Sequence, residues 1–249
     1  MTRLKHIIIA GVVMASATTA AHAESPWTLG AGAGFVENAY KSYDHDVWPV
    51  PVIGYQGESA WFKGLGGGYY LWNDKADKLS IMAYYAPQYF RPKDSDNRQL
   101  RQLDHRRATV MAGLSYTHDT AYGFLRTSLA GDILDNSNGI VWDTAWLYRY
   151  VNGSWVITPG IGAAWNSENQ NRYYYGVSKS ESRHSGLRHY NPDSSWNPYL
   201  ELTVNYRLTS DWTLYGTGRY NRLSDEEKDS PMVNKSWTGL FSTGVTYSF

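Results

Sequence analysis

The chain has 249 residues with 23 basic and 23 acidic side chains, no cysteine, and 15% aromatic residues weighted towards tyrosine (21) and tryptophan (11). That balance excludes a disulfide framework, a thiolate nucleophile and a cysteine-ligated metal, and it offers no basic excess for nucleic acid as a partner. A mean hydropathy of −0.50 is too polar for a helical membrane protein, yet Trp and Tyr suit a membrane–water interface because each joins an apolar body to a polar tip.

Residues 1–23 read as a secretory signal peptide. Arg3 and Lys5 form a basic start, Ile7 to Ala20 is an apolar run, and Ala21-His22-Ala23 is an A-x-A site placing cleavage between Ala23 and Glu24. The run is shorter than the ~20 apolar residues of a spanning helix. No cysteine follows the cleavage site, so a lipid-anchored start is not expected. Beyond it no stretch of 18 apolar residues remains.

Residues 24–249 divide into segments of period-two alternation separated by turn residues. In order they are Trp27–Phe35, Val47–Gln56, Trp61–Trp72, Leu79–Phe90, Arg107–Thr117, Tyr122–Ile133, Ile140–Tyr150, Ser154–Asn166, Trp196–Leu208, Asp211–Leu223 and Trp237–Phe249. Single-chain bacterial barrels have an even number of strands, and these segments make eleven. Either Tyr173–Ser178 supplies a twelfth, or the glycines from Gly64 to Gly68 split one segment in two. The expectation is an all-β, antiparallel transmembrane β-barrel of twelve strands, with ten as the alternative.

The last segment is the clearest. Trp237, Phe241, Val245, Tyr247 and Phe249 fall on one side, and Thr238, Ser242, Thr246 and Ser248 on the other. A strand places these sets on opposite faces, one for lipid and one for the lumen. Tyr247 and Phe249 form the C-terminal signal expected to engage the barrel-assembly machinery. With Phe249 at the periplasmic end, Thr209-Ser210 and Val151–Gly153 become periplasmic turns. Asp135–Gly139, Arg91–Arg106, Ser167–Ser195 and Ser224–Ser236 become outer loops, the usual short-and-long asymmetry. The basic loop around Arg98, Arg101 and Arg107 is expected to meet outer-membrane lipid and lipopolysaccharide.

The same alternation places Arg126, Asp132, Asp143, Arg149, Glu201, Arg207 and Arg219 on the lumen face. Charges in mid-strand are costly against lipid and belong inside. Their mixed signs read as a network of ion pairs filling a narrow barrel, the alternative being a pore for small solutes. Candidate chemistry is weak. His184, Ser185, His189 and Asp193 are the residue types of a hydrolase, but crowding in one loop does not make a triad. Asp225, Glu226, Glu227 and Asp229 lack calcium-loop spacing. Gly64–Gly68 does not fit a nucleotide-binding pattern, and Gly30, Gly32 and Gly34 share a strand face where they permit close packing. No catalytic, metal or cofactor residue is assigned.

Longer blocks carry a resemblance: GLGGGYYLWND from Gly64, AGLSY from Ala112, LAGDILDNSNGIVWDTAWLYRY from Leu129, PGIGAAWNSENQNRYYYGVS from Pro159, SGLRHYNP from Ser185 and RLSDEEKDSPMVNKSWTG from Arg222. In this order they resemble the MipA/OmpV family over the whole exported chain. The resemblance implies a non-enzymatic outer-membrane scaffold. Its partners would be a membrane-bound lytic transglycosylase and a bifunctional penicillin-binding murein synthase in peptidoglycan assembly. Docking would then use the periplasmic turns or the rim near Glu24–Trp27.

Overall fold

The computed structural model describes residues 26–43 and 47–249; the signal segment and its cleavage residues Ala23 and Glu24 lie outside the described residues. Thirteen strand segments pair antiparallel in one sheet. They are β1 (Trp27–Glu37), β2 (Val47–Gln56), β3 (Ala60–Lys63), β4 (Gly66–Asn73), β5 (Asp77–Ala86), β6 (Thr109–Thr120), β7 (Gly123–Asp132), β8 (Ile140–Leu147), β9 (Tyr150–Asn152), β10 (Trp155–Asn166), β11 (Ser195–Arg207), β12 (Trp212–Arg222) and β13 (Trp237–Ser248). β8 and β9 both pair with β10 and occupy one place in the wall. Apart from β8 and β9, each strand pairs with the next, and β1 closes on β13 from Thr28↔Ser248 to Glu37↔Gly239. The barrel therefore has twelve staves.

The twelfth comes from the glycine break. Gly64 takes a positive φ of 57°, a conformation that costs glycine little, and there the chain reverses from β3 to β4. Tyr173–Ser178, the other candidate, is not a strand. Helix α1 spans Glu168–Tyr175, with Ser167 as N-cap accepting from the Gln170 amide, and α2 spans Lys179–Ser185. Tyrosines in a row have no alternation to lose, so local capping decides the segment. A one-turn helix, α3 (Asp225–Lys228), lies between β12 and β13.

Two aromatic belts mark the membrane. At the short-turn end Trp27 packs on Tyr55, Trp155 on Tyr206 and Trp212 on Tyr247, with ring centroids 4.9, 4.6 and 5.0 Å apart. At the long-loop end Trp142 meets Trp196 at 5.3 Å and Tyr220 meets Trp237 at 5.2 Å. Trp212 and Tyr220 lie on one strand. At ~3.4 Å per residue, and with a tilt of ~40°, the belts stand ~20 Å apart, close to the apolar height of a barrel. Between them Leu29, Ile81, Leu114, Leu129, Ile161, Leu200 and Leu214 are exposed to the outside of the wall, as lipid contact requires.

The largest cluster of buried apolar residues lies in the loops. Tyr40, Phe90, Leu100, Leu103, Tyr174, Val177, Leu187, Leu223, Met232 and Val233 pack together from four long loops. These close the end of the barrel opposite the termini, the end we assign to the cell exterior.

Candidate functional site

In the lumen, four of the seven inward charges meet. Arg126 donates from Nη2 to Glu201 Oε2 at 2.9 Å and lies 3.9 Å from Asp143. Arg219 Nη2 reaches the other oxygen of Asp143 at 2.5 Å. Tyr199, inward on β11 beside Glu201, donates to Asp143 Oδ1 at 2.8 Å, and the Arg219 guanidinium lies 3.4 Å above its ring. The result is a belt across the lumen in which each carboxylate has a cation. Tyr199 is the member that a search for charge passes over, although its parity on the strand points the same way as Glu201.

The other three inward charges do not join this belt. Asp132 ends β7 and is consumed by the 133–139 turn. It accepts from the amides of Leu134, Asn136, Ser137 and Asn138 and from the Thr109 hydroxyl. Arg149 falls between β8 and β9 and packs over the Phe124 ring at 5.2 Å. Arg207 ends β11 at the periplasmic rim, exposed, with its amide bonded to Ser154. Alternation gives a face; height along the strand decides whether two charges meet.

Above the belt sits the loop plug. Arg106 and Glu181 form a buried ion pair at 2.6 Å, and Arg106 also donates to the Gly176 carbonyl. Glu181 closes a capping box with Ser178 and accepts from the Asp104 amide. Burial pushes its carboxyl up, but Arg106 and the two amides outweigh burial and hold it below the usual range. Glu227 is different. It accepts from Asn166, Ser195 and Asn197 with no cation within 4 Å among the described residues, and burial pushes its carboxyl above the usual range.

The hydrolase-like residues have other duties. Ser185 donates to the Glu181 carbonyl at 2.7 Å, His184 bonds the Ser180 carbonyl, and His189 bonds the Val177 carbonyl. Asp193 is not within reach of either imidazole; its carboxylate accepts from the Ser194 amide. In the acidic loop Asp225 pairs with Lys228 at 2.6 Å while Glu227 is buried, so these carboxylates do not converge.

At the periplasmic end, Pro26, Tyr55, Gln56, Gly57, Glu58, Asn73 and Lys78 line an open groove. Its turns are tied together by side-chain hydrogen bonds. Asn73 donates to the Glu58 carbonyl at 2.7 Å and Gln56 to the Tyr70 hydroxyl at 2.8 Å. Asp74 accepts from the amides of Asp77 and Ala76 and from Trp72 Nε1. The Asp77 amide, then Trp72 and the Ala76 amide, hold the Asp74 carboxyl below its ordinary range. The groove offers a carboxylate, an ammonium, an amide and an aromatic ring within one open surface.

Comparison with known proteins identifies relatives over the full chain. The profile of a family described as MltA-interacting protein MipA matches residues 29–249. The chain is 65% identical to the MltA-interacting protein of Escherichia coli (strain K12) over 249 residues, the full length of both. It is 36% identical to the putative outer membrane protein YiaT of Escherichia coli O157:H7, over 95% of this chain and 94% of that one. Among solved structures, the NanC porin aligns over 89% of this chain and 100% of its own, with 12% identity and a TM-score of 0.49. The barrel and the relatives' names together place the chain in the outer membrane.

Proposed function

We propose, from the premise that the chain belongs to the MltA-interacting protein family, that it is a non-enzymatic scaffold holding a lytic transglycosylase beside a bifunctional penicillin-binding murein synthase. The observation that carries this reading is full-length identity of 65% to a relative named for its interaction with MltA. The geometry is in keeping with it. The outer end is filled by its own loops, the lumen is crossed by ion pairs, and the rim groove around Tyr55, Glu58 and Lys78 is one surface open to periplasmic partners. A groove of this size falls below the ~1,000 Å² of a stable protein interface, so the expected contact is transient and aided by confinement of both partners to one membrane surface.

Affinity capture from membrane extracts on the immobilised, folded barrel tests the proposal. Retention of the transglycosylase and the synthase is the expected result, and retention of neither would remove it. A second reading, a narrow channel, draws on the charged lumen. The belt and the plug above it speak against conduction, and unitary current steps in planar bilayers would favour it.

A further inference from the structure

The hydrogen-bonded wall is interrupted between β2 and β5. β2 pairs with β1 from Trp27↔Tyr55 to Phe35↔Val47, but with β3 only at Gly54, Tyr55 and Gln56. The β3–β4 hairpin turns back at residues 64–65, its tip tied to the flanking strands through Gly64 N–H to Ile53 O and Tyr85 N–H to Leu65 O. Beyond that tip, among the described residues, no ladder joins residues 47–52 to another strand on this side.

The sequence is adapted to the break. The Gln56 amide bonds the Pro26 carbonyl, so even positions of β2 face β1, whereas the Ile53 carbonyl faces the hairpin. The odd positions beyond it are Pro51, Pro49 and Val47. Proline has no N–H and is confined to strand edges, so two of the three amides that would point unpaired into lipid do not exist. An orphaned amide is costly in hydrocarbon, and the prolines make this edge stable as an edge. Their side chains and those of Val47 (72% exposed) and Ile53 point outward. Inward, Trp48, Val50 and Val52 pack on Tyr215 and keep the lumen closed behind them. The break is a recess in the outer surface, not a passage.

Its height and its upper border select an occupant. Val47 pairs with Phe35, whose ring lies 6.2 Å from Phe241 near the outer belt, so the recess lies within the outer leaflet. Directly above, the Tyr43 hydroxyl accepts from the Arg91 amide at 3.1 Å and Tyr43 bridges Ser95, which holds the 87–108 loop over the recess. There Arg91, Lys93, Arg101 and His105 surround a surface pocket. Asp96 lies 3.6 Å from Arg101 and Asp94 is adjacent in sequence, yet neither Arg91 nor Lys93 has a carboxylate within 4 Å among the described residues. Arg101 is fixed by its Nε bond to the Ser95 carbonyl at 2.8 Å. Burial, then Arg91 and Arg107, press the His105 imidazole below its ordinary range, a sign of local positive potential.

We propose that this recess and its cationic border bind lipopolysaccharide, with a lipid A phosphate among Arg91, Lys93 and Arg101 and an acyl chain along Val47, Pro49, Pro51 and Ile53. The match is one of charge and level: phosphates stand at the height of the loop, and hydrocarbon at the height of an edge from which proline has removed two of three amides. Lipopolysaccharide is the phosphorylated lipid of the leaflet that the recess faces.

The test is native mass spectrometry of the full folded barrel in detergent, titrated with bisphosphorylated lipid A, its monophosphoryl form, phosphatidylglycerol or inorganic phosphate. Lipid A should bind about ten-fold more tightly than phosphatidylglycerol, and the double change Lys93→Ala with Arg101→Ala should weaken it by about ten-fold. Pro51→Trp, which fills the recess, should weaken lipid A without altering inorganic phosphate. Equal binding of lipid A and phosphatidylglycerol by the unaltered protein would overturn the proposal, since that is ordinary annular lipid. So would displacement of lipid A by millimolar phosphate, which would indicate an anion site alone. Heat-modifiable gel migration verifies that each variant is folded, and the lipid comparison needs no variant at all.

Discussion

At the outer end, four long loops bury Phe90, Leu100, Tyr174, Val177 and Met232 in a shared apolar core, whereas no buried core residue lies in the periplasmic turns 57–59, 74–76, 121–122, 153–154 or 208–211. The difference is one of how each end is stabilised. The plug is a small tertiary structure whose parts come from distant stretches of chain, held by packing and by a buried ion pair. The periplasmic turns are held by the strands they join and by bonds within a few residues, as at Asp74. A substitution at the outer end should therefore loosen several loops together. One at the rim should change a surface and leave the barrel as it was.

The largest expected effect is at the ion pair. Arg106→Ala strands Glu181 in a buried place, and removing one partner of such a pair costs about 3–5 kcal/mol. Hydrogen exchange should rise across both the 87–108 and the 167–194 loops while heat-modifiable migration persists. Unchanged exchange would mean that the plug is not the cooperative unit described. Met232→Ala, which cuts a fully buried side chain, should cost about 2–5 kcal/mol and be read in the protection of residues 223–236. Lys75→Ala in an exposed periplasmic turn should stay within about 0.5 kcal/mol. If the two truncations had equal effects, the contrast between the ends would fail.

At the rim the expected change is in binding. Glu58→Ala with Lys78→Ala should weaken retention of a periplasmic partner by less than about ten-fold, as exposed charges do, with plug exchange unaltered. Loss of retention together with loosened loops would show that the two ends are coupled. The smallest effect concerns pH. Glu227, raised by burial, contributes stability that is full below the ordinary carboxyl range and is lost as pH rises through its raised value. Glu181, held low, contributes stability that is present above the ordinary range and is lost as pH falls through its lowered value. Glu227→Gln keeps an acceptor for Asn166, Ser195 and Asn197 and should flatten the rise in exchange at 223–236 as pH is raised, leaving the acid-side rise from Glu181 in place.

The wall is legible in the sequence because a strand writes its two faces residue by residue. In Trp196–Leu208 alternation alone puts Tyr199 and Glu201 inside and Leu200 and Leu202 outside, as found. Gly64–Gly68 marks the split that completes the stave count, and the segment Leu79–Phe90 shifts to Asp77–Ala86 because Phe90 leaves the wall to enter the plug. The plug has no such script. Arg106 and Glu181 are 75 residues apart, and nothing local to either predicts the other. Tyr173–Ser178 reads as a strand or a loop until the Ser167 cap and the burial of Tyr174 are known. The same limit explains why Asp132, Arg149 and Arg207 share a face with the belt without joining it.

The seam between β1 and β13 carries a consequence for biogenesis. The first and last strands of the wall are hydrogen-bonded neighbours, so this ring closes only when both are in place. Until Trp237–Ser248 is in place, β1 and β12 both present a row of bare amides, and one missing stave leaves two such edges rather than one. In a bilayer that state has no water to satisfy it. Closure is thus the logic of a ring: a nearly complete barrel gains almost none of the benefit of a complete one, and the final strand acts as the key that decides whether all the others persist.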